Sequence, residues 1–143
     1  MLEKTITVVV ADDDDLDSRL TERAVRETLP GAQVILIHDG LKCLETLQKI
    51  QAGTDPAIVF MDFRMPKMSC MEILAQLDRQ NLMDRTKIVL FSSGVSPTDV
   101  QRAIGAGVSD YIQKPTDPTD YAELVREACL QFQPKWHRGA EVH

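Results

Sequence analysis

Two runs of this chain are apolar almost without a break and then stop at acids. Ile6-Thr7-Val8-Val9-Val10-Ala11 leads into four successive aspartates, Asp12 to Asp15, and Ala57-Ile58-Val59-Phe60-Met61 ends at Asp62. A strand wetted on one face alternates apolar and polar residues; a strand covered on both faces does not need to. Unbroken apolar runs this short therefore point to a parallel sheet sandwiched between helices. Strands are expected at 5–11, 33–38, 57–61, 87–92 and 109–113. Between them apolar residues recur at helical spacing: Leu16, Leu20, Ala24 and Leu29; Leu41, Leu44, Leu47 and Ile50; Ile73, Leu74 and Leu77; Val100, Ala103 and Ile104; Leu124, Val125, Ala128 and Phe132. Ser96-Pro97-Thr98-Asp99 supplies a capping serine, a proline at the first helical position and an acid in the first turn, and Asp117-Pro118-Thr119-Asp120 repeats the pattern. Five strand–helix units predict a three-layer, doubly wound α/β domain.

The chain's 143 residues suit one such domain, and an apolar fraction of 43 % can fill one core. A net charge of −6 argues against a general nucleic-acid-binding surface. No stretch approaches the apolar length of a membrane span, and Met1-Leu2-Glu3-Lys4 enters a strand pattern with no signal peptide. Cys43, Cys70 and Cys129 are widely separated and form no CxxC pair, so they read as reduced thiols of a cytoplasmic protein. His38, His137 and His143 show no zinc-ligand spacing with them. From Gln133 the periodicity fades into a tail, 133–143, whose basic residues and lone Trp136 fit either a docking or dimerisation element or a frayed end.

Doubly wound sheets bind ligands beyond the carboxyl ends of their strands. Asp12 to Asp15, Asp62, Ser92 and Lys114 all fall at such ends. At an effective dielectric near 20, two carboxylates about 4 Å apart repel by roughly 4 kcal/mol, so clustered acids call for a positive charge among them. Mg²⁺ suits a site of a few carboxylates, water and a phosphoryl group. Metal, acceptor carboxylate, hydroxyl and ammonium together make a site for phosphoryl chemistry.

Four segments carry a resemblance: Val8-Val9-Val10-Ala11-Asp12-Asp13, Met61-Asp62-Phe63-Arg64-Met65-Pro66, Leu90-Phe91-Ser92-Ser93-Gly94 and Tyr111-Ile112-Gln113-Lys114-Pro115. Ser92 lies thirty residues and Lys114 fifty-two residues beyond Asp62. In that order and spacing, the chain resembles a receiver domain of a two-component response regulator from Thr5 to about Phe132. Asp13-Asp14-Asp15-Leu16-Asp17-Ser18-Arg19-Leu20 and the tail are similar to stand-alone receivers associated with phytochrome-type sensor kinases. The resemblance implies a flavodoxin-like, five-stranded parallel sheet of order 2-1-3-4-5 with five helices, and a receiver domain over 1–132.

The resemblance also assigns roles. Asp62 becomes the acceptor that takes a phosphoryl group from a sensor histidine kinase; Asp13 binds Mg²⁺ directly, Asp12 binds it through water or itself, and Arg64 offers its backbone carbonyl. Lys114 neutralises the phosphoryl group, in a Lys114–Pro115 peptide expected to be cis. Ser92 is the switch hydroxyl and Tyr111 the switch aromatic, with Ser93 and Gly94 leaving room beside the phosphoryl group. Of Asp14, Asp15 and Asp17, one caps the first helix and the others form a solvated acidic rim without metal. Cys70 stands where the family usually has glycine and reads as a small buried residue rather than a redox sensor, while Arg64 places a long cation beside the site.

The function implied is a signalling module with no output domain, not an enzyme beyond self-directed phosphotransfer and dephosphorylation. It works through a partner, through phosphorelay, or through a dimer formed by the faces of the fourth and fifth helices and the tail. Two other classes compete. A haloacid dehalogenase-type phosphatase also uses Asp, Mg²⁺, Ser or Thr and Lys, but places its nucleophile on the first strand. A flavodoxin-like FMN binder needs a loop of phosphate-binding N–H groups where this chain has Asp12 to Asp15.

Overall fold

A computed structural model describes residues 6–51, 57–83 and 86–141 of the chain; for residue 51 and residues 132–141 the backbone alone is described. The elements alternate as the apolar runs predict: β1 Thr7–Ala11, α1 Asp15–Thr28, β2 Gln33–Ile37, α2 Gly40–Gln51, β3 Ala57–Met61, α3 Cys70–Arg79, β4 Thr86–Ser92, α4 Pro97–Gly105, β5 Asp110–Gln113 and α5 Asp120–Glu141. All strand pairs are parallel and the order is β2-β1-β3-β4-β5. Thr5, the expected first strand residue, lies outside the described residues, as do Val142 and His143 of the expected tail. The backbone of 133–141 continues α5 instead of fraying, and the side chain of Trp136 lies outside what is described.

Alternation along each strand sends side chains to two separate cores. Val9, Ala11, Val59, Met61, Ile88 and Leu90 face α2, α3 and α4, meeting Cys43, Leu47, Ile73, Leu74, Leu77 and Ala103. Val8, Val10, Ile58, Phe60, Val89 and Phe91 face α1 and α5, meeting Ala24, Val25, Tyr121, Val125, Ala128 and Cys129. β1 and β3 are buried at every residue, which is why their sequences do not alternate. Each buried Val, Ile or Leu contributes roughly 1.5–3 kcal/mol from apolar burial. All three cysteines are reduced and buried. Cys70 has no exposed surface, and burial pushes its thiol up to about 12, with the nearby Asp62 charge adding to the shift.

Helix starts are set by side chains. Ser96 accepts from Asp99 N with Pro97 in the first turn, as its sequence predicts. Asp14 is the cap of α1, accepting from Asp17 N at 2.9 Å. Ser69 and Glu72 form a reciprocal capping box at α3, a Ser-x-x-Glu signature that the motif reading passed over. Not every apolar residue at helical spacing points inward: Leu16, Leu41 and Ile104 are exposed.

The loop after β3 is seated on the start of α2. Gly40 N donates to Pro66 O at 3.0 Å, and a Cβ on Gly40 would fall 1.8 Å from Met68 O. Backbone cannot yield as a side-chain tip can, so only glycine fits. Gly40→Ala is expected to lower the unfolding free energy by about 2–3 kcal/mol, as overpacking does. Urea denaturation checks this, and a loss below about 0.5 kcal/mol would show that the loop moves aside freely.

Candidate phosphoryl site

The sheet itself positions the site. Beyond the strand ends its hydrogen-bond ladder runs one residue further: Asp12 N donates to Ile37 O (2.9 Å), Asp62 N to Ala11 O (2.9 Å) and Lys114 N to Ser92 O (3.0 Å). Residues distant in the chain thus start from fixed points on one rim, where the order β2-β1-β3 places Asp12 beside Asp62.

Lys114 is the centre of the arrangement. Its Nζ lies 2.7 Å from Asp12 Oδ2, 2.9 Å from Asp17 Oδ2 and 2.9 Å from Asp62 Oδ2, with the lysine side chain 7 % exposed. An ammonium has three donors, and each has a carboxylate. On Asp62 the second oxygen is held separately: Ser92 Oγ donates to Oδ1 at 2.6 Å and Arg64 N to the same atom at 3.2 Å. The guanidinium of Arg64 lies 5.9 Å from the Phe63 ring centroid. Tyr111 is half-buried on β5 against the core of the α2–α4 side. Gly94, at φ 70°, has open space where a side chain would project.

Two expectations need correction. The Lys114–Pro115 peptide is trans, the form that X-Pro bonds ordinarily favour by about 0.5–1 kcal/mol. Asp17 is no member of a solvated rim: besides Lys114 it accepts from Tyr121 Oη at 3.0 Å. Neither Asp17 nor Tyr121 was singled out as a site residue from sequence. Ser18 and Thr21 are fully buried neighbours on α1, so the helix's inward face passes through Asp17 and not through Leu16.

The charges perturb one another. Burial raises Asp12 to about 6, with the charge of Asp62 adding to the rise and Lys114 opposing it. Burial also works to raise Asp62, but its bonds from Ser92 and Lys114 outweigh that and hold it below the usual carboxylate range. Burial of Lys114 opposes its charge, yet its bonds to Asp12, Asp17 and Asp62 push its pKa well above the usual lysine value. Among the described residues, Asp12, Asp13 and Asp62 form a group whose ligand oxygens lie within 4.8 Å of one another. An all-oxygen, all-anionic donor set next to a single lysine fits a hard divalent cation.

Residues 8–126 match the response regulator receiver domain, and the protein belongs to that family. It is 25 % identical over 124 residues to the two-component response regulator ORR3 of Oryza sativa subsp. indica, covering 87 % of this chain and 91 % of the relative. Its fold matches the phosphorylated cyanobacterial phytochrome response regulator RcpA with a TM-score of 0.77 at 20 % identity, over 89 % of this chain and 91 % of RcpA. The Mn²⁺-bound form of response regulator Rcp1 gives a TM-score of 0.73 at 22 % identity, over 87 % and 91 % of the two chains. The chain is thus a receiver of two-component signalling with the 2-1-3-4-5 sheet, and no described helix is long and apolar enough to cross a membrane.

The Asp12 shift makes a signed prediction. Because its folded value is raised from 3.8 to about 6, the stability it adds is full below the ordinary value and lost as pH rises through about 6. Asp62, shifted the other way, loses its contribution only below 3.8, outside that window. Without divalent metal, unfolding free energy should fall by roughly 2–3 kcal/mol from pH 4 to pH 7. Asp12→Asn should flatten that slope; an unchanged slope in urea titrations would refute the assignment.

Proposed function

We propose that Asp62 accepts a phosphoryl group from the phosphohistidine of a sensor histidine kinase. A carboxylate oxygen of Asp62 attacks phosphorus, the phosphorus–nitrogen bond breaks, and its electron pair returns to the imidazole. What carries this reading is the division of labour on Asp62: Lys114 holds Oδ2 while Ser92 holds Oδ1. Phosphoryl transfer asks mainly for positioning and charge neutralisation. Lys114 offers its ammonium to the incoming oxygens, and Ser92 can redirect its O–H from the carboxylate to the phosphoryl group. Mg²⁺ held by Asp12, Asp13, Asp62 and the Arg64 carbonyl would offset the remaining negative charge. The Mn²⁺-bound form of Rcp1, which shares the fold, supports a divalent cation in this reading.

Movement of Ser92 would draw Tyr111 inward and repack the 92–98 loop, α4 and β5, giving a two-state output. In this reading 1–132 is the receiver and the tail 133–143, whose residues to 141 prolong α5, serves docking or dimerisation. Exposed Ile104 on α4 and Leu130 on α5 support a homodimer through those two helices. Similarity to RcpA favours a phytochrome-type kinase as partner. A cytoplasmic location, no nucleic-acid partner and no turnover of outside substrates complete the proposal; the acidic charge of −6 agrees with it. A haloacid dehalogenase-type phosphatase fits less well, because Asp62 follows the third strand rather than the first.

Acetyl phosphate with Mg²⁺ should label the protein once, at Asp62. Asp62→Asn and chelation of the metal should each abolish labelling, as read by intact-mass measurement and by borohydride reduction of the acyl phosphate to homoserine. Labelling that survives either change would contradict the assignment.

A further inference from the structure

Three carboxylates share the Lys114 ammonium, and two of them have other work. Asp12 and Asp62 belong to the group suited to a divalent cation, and Asp62 is the proposed acceptor, so both must change partners during phosphorylation. Asp17 belongs to neither set. Its two oxygens are already committed, Oδ2 to Lys114 at 2.9 Å and Oδ1 to Tyr121 Oη at 3.0 Å. Its backbone is fixed by the bond from Asp17 N to Asp14 Oδ1 at 2.9 Å in the first turn of α1. Tyr121 is 4 % exposed, and its ring meets Phe91 edge-on at 5.5 Å, next to Ser92 in sequence. Burial and the Asp17 charge raise the phenol's pKa, so it remains a neutral donor.

We propose that Asp17, braced by Tyr121, is a positioning residue that keeps the Lys114 ammonium beside Asp62 while Asp12 and Asp62 exchange partners. The proposal rests on the reading of Asp62 as phosphoacceptor. A lysine on four rotatable bonds has many alternative rotamers, and a fixed carboxylate behind its ammonium removes most of them before the phosphoryl group arrives. A rival physical effect has the opposite sign: the Asp17 charge could simply repel the phosphoryl group, in which case removing it would help. Two hydrogen bonds fixing Asp17, and the bond it makes to Lys114, favour positioning over repulsion.

Beryllofluoride with Mg²⁺, a phosphoryl analogue, separates the two in an NMR titration of the full chain. Asp17→Ala should weaken beryllofluoride binding about tenfold, the scale of one lost charge-assisted hydrogen bond. Asp17→Asn, which keeps an oxygen acceptor, should lose less, and Tyr121→Phe should lose roughly threefold. In a Lys114→Ala background the effect of Asp17→Ala should shrink to within about twofold, as coupling through the lysine requires. In metal-free protein, the Lys114 ammonium signal should exchange faster with solvent in Asp17→Ala than in the parent. Unchanged or tighter binding by Asp17→Ala, or a loss that persists without Lys114, would overturn the proposal. A parent chain that fails to bind beryllofluoride would overturn the reading of Asp62 and the proposal with it.

Discussion

One buried ammonium holds the functional end of this protein together. Lys114 bonds carboxylates from the end of β1, from α1 and from the end of β3, so three elements converge on one point charge. Without that charge, the buried Asp12 and the half-buried Asp17 and Asp62 would face one another with little water between them. With it the carboxylates remain an excess of negative charge, which is the condition a divalent cation relieves. The raised Asp12 pKa is mainly the cost of burying that carboxylate, and the neighbouring Asp62 charge adds to it.

The rest of the fold delivers those atoms. The sheet is apolar on both faces, so its strands are anchored through burial and ladder bonds; β1 and β3 are buried at every residue and paired on both sides. The ladder's extra step at Asp12, Asp62 and Lys114 carries that rigidity into the site. Around this frame lie the Ser92–Pro97 loop, where Gly94 takes a left-handed conformation, and the half-buried Tyr111 on the edge strand.

Much of this was legible before any coordinates. Unbroken apolar runs marked the buried strands, and acids at their ends marked the site, because such placements are costly unless something compensates them. Ser96 and Pro97 announced the start of α4 for a local reason that tertiary structure did not override. Asp17 escaped notice because Leu16, which is exposed, suggested a different inward face for the start of α1, while the buried face there is lined by Ser18 and Thr21, whose hydroxyls bond backbone carbonyls of Asp12 and Asp17. Tyr121 escaped because its partner lies 104 residues away, beyond any local pattern. The Lys114–Pro115 isomer depends on a small energy difference that residue order does not encode.

The central claim is that the Lys114 charge holds the acidic cluster in place. Lys114→Met keeps much of the side chain's length and apolar stem while removing the ammonium. Its unfolding free energy, measured against the parent in chelator at neutral pH, tests the claim directly. The account predicts a loss of about 3–5 kcal/mol, the scale for removing one partner of a buried ionic cluster. A loss below about 1 kcal/mol, within the range of an exposed ion pair, would contradict it.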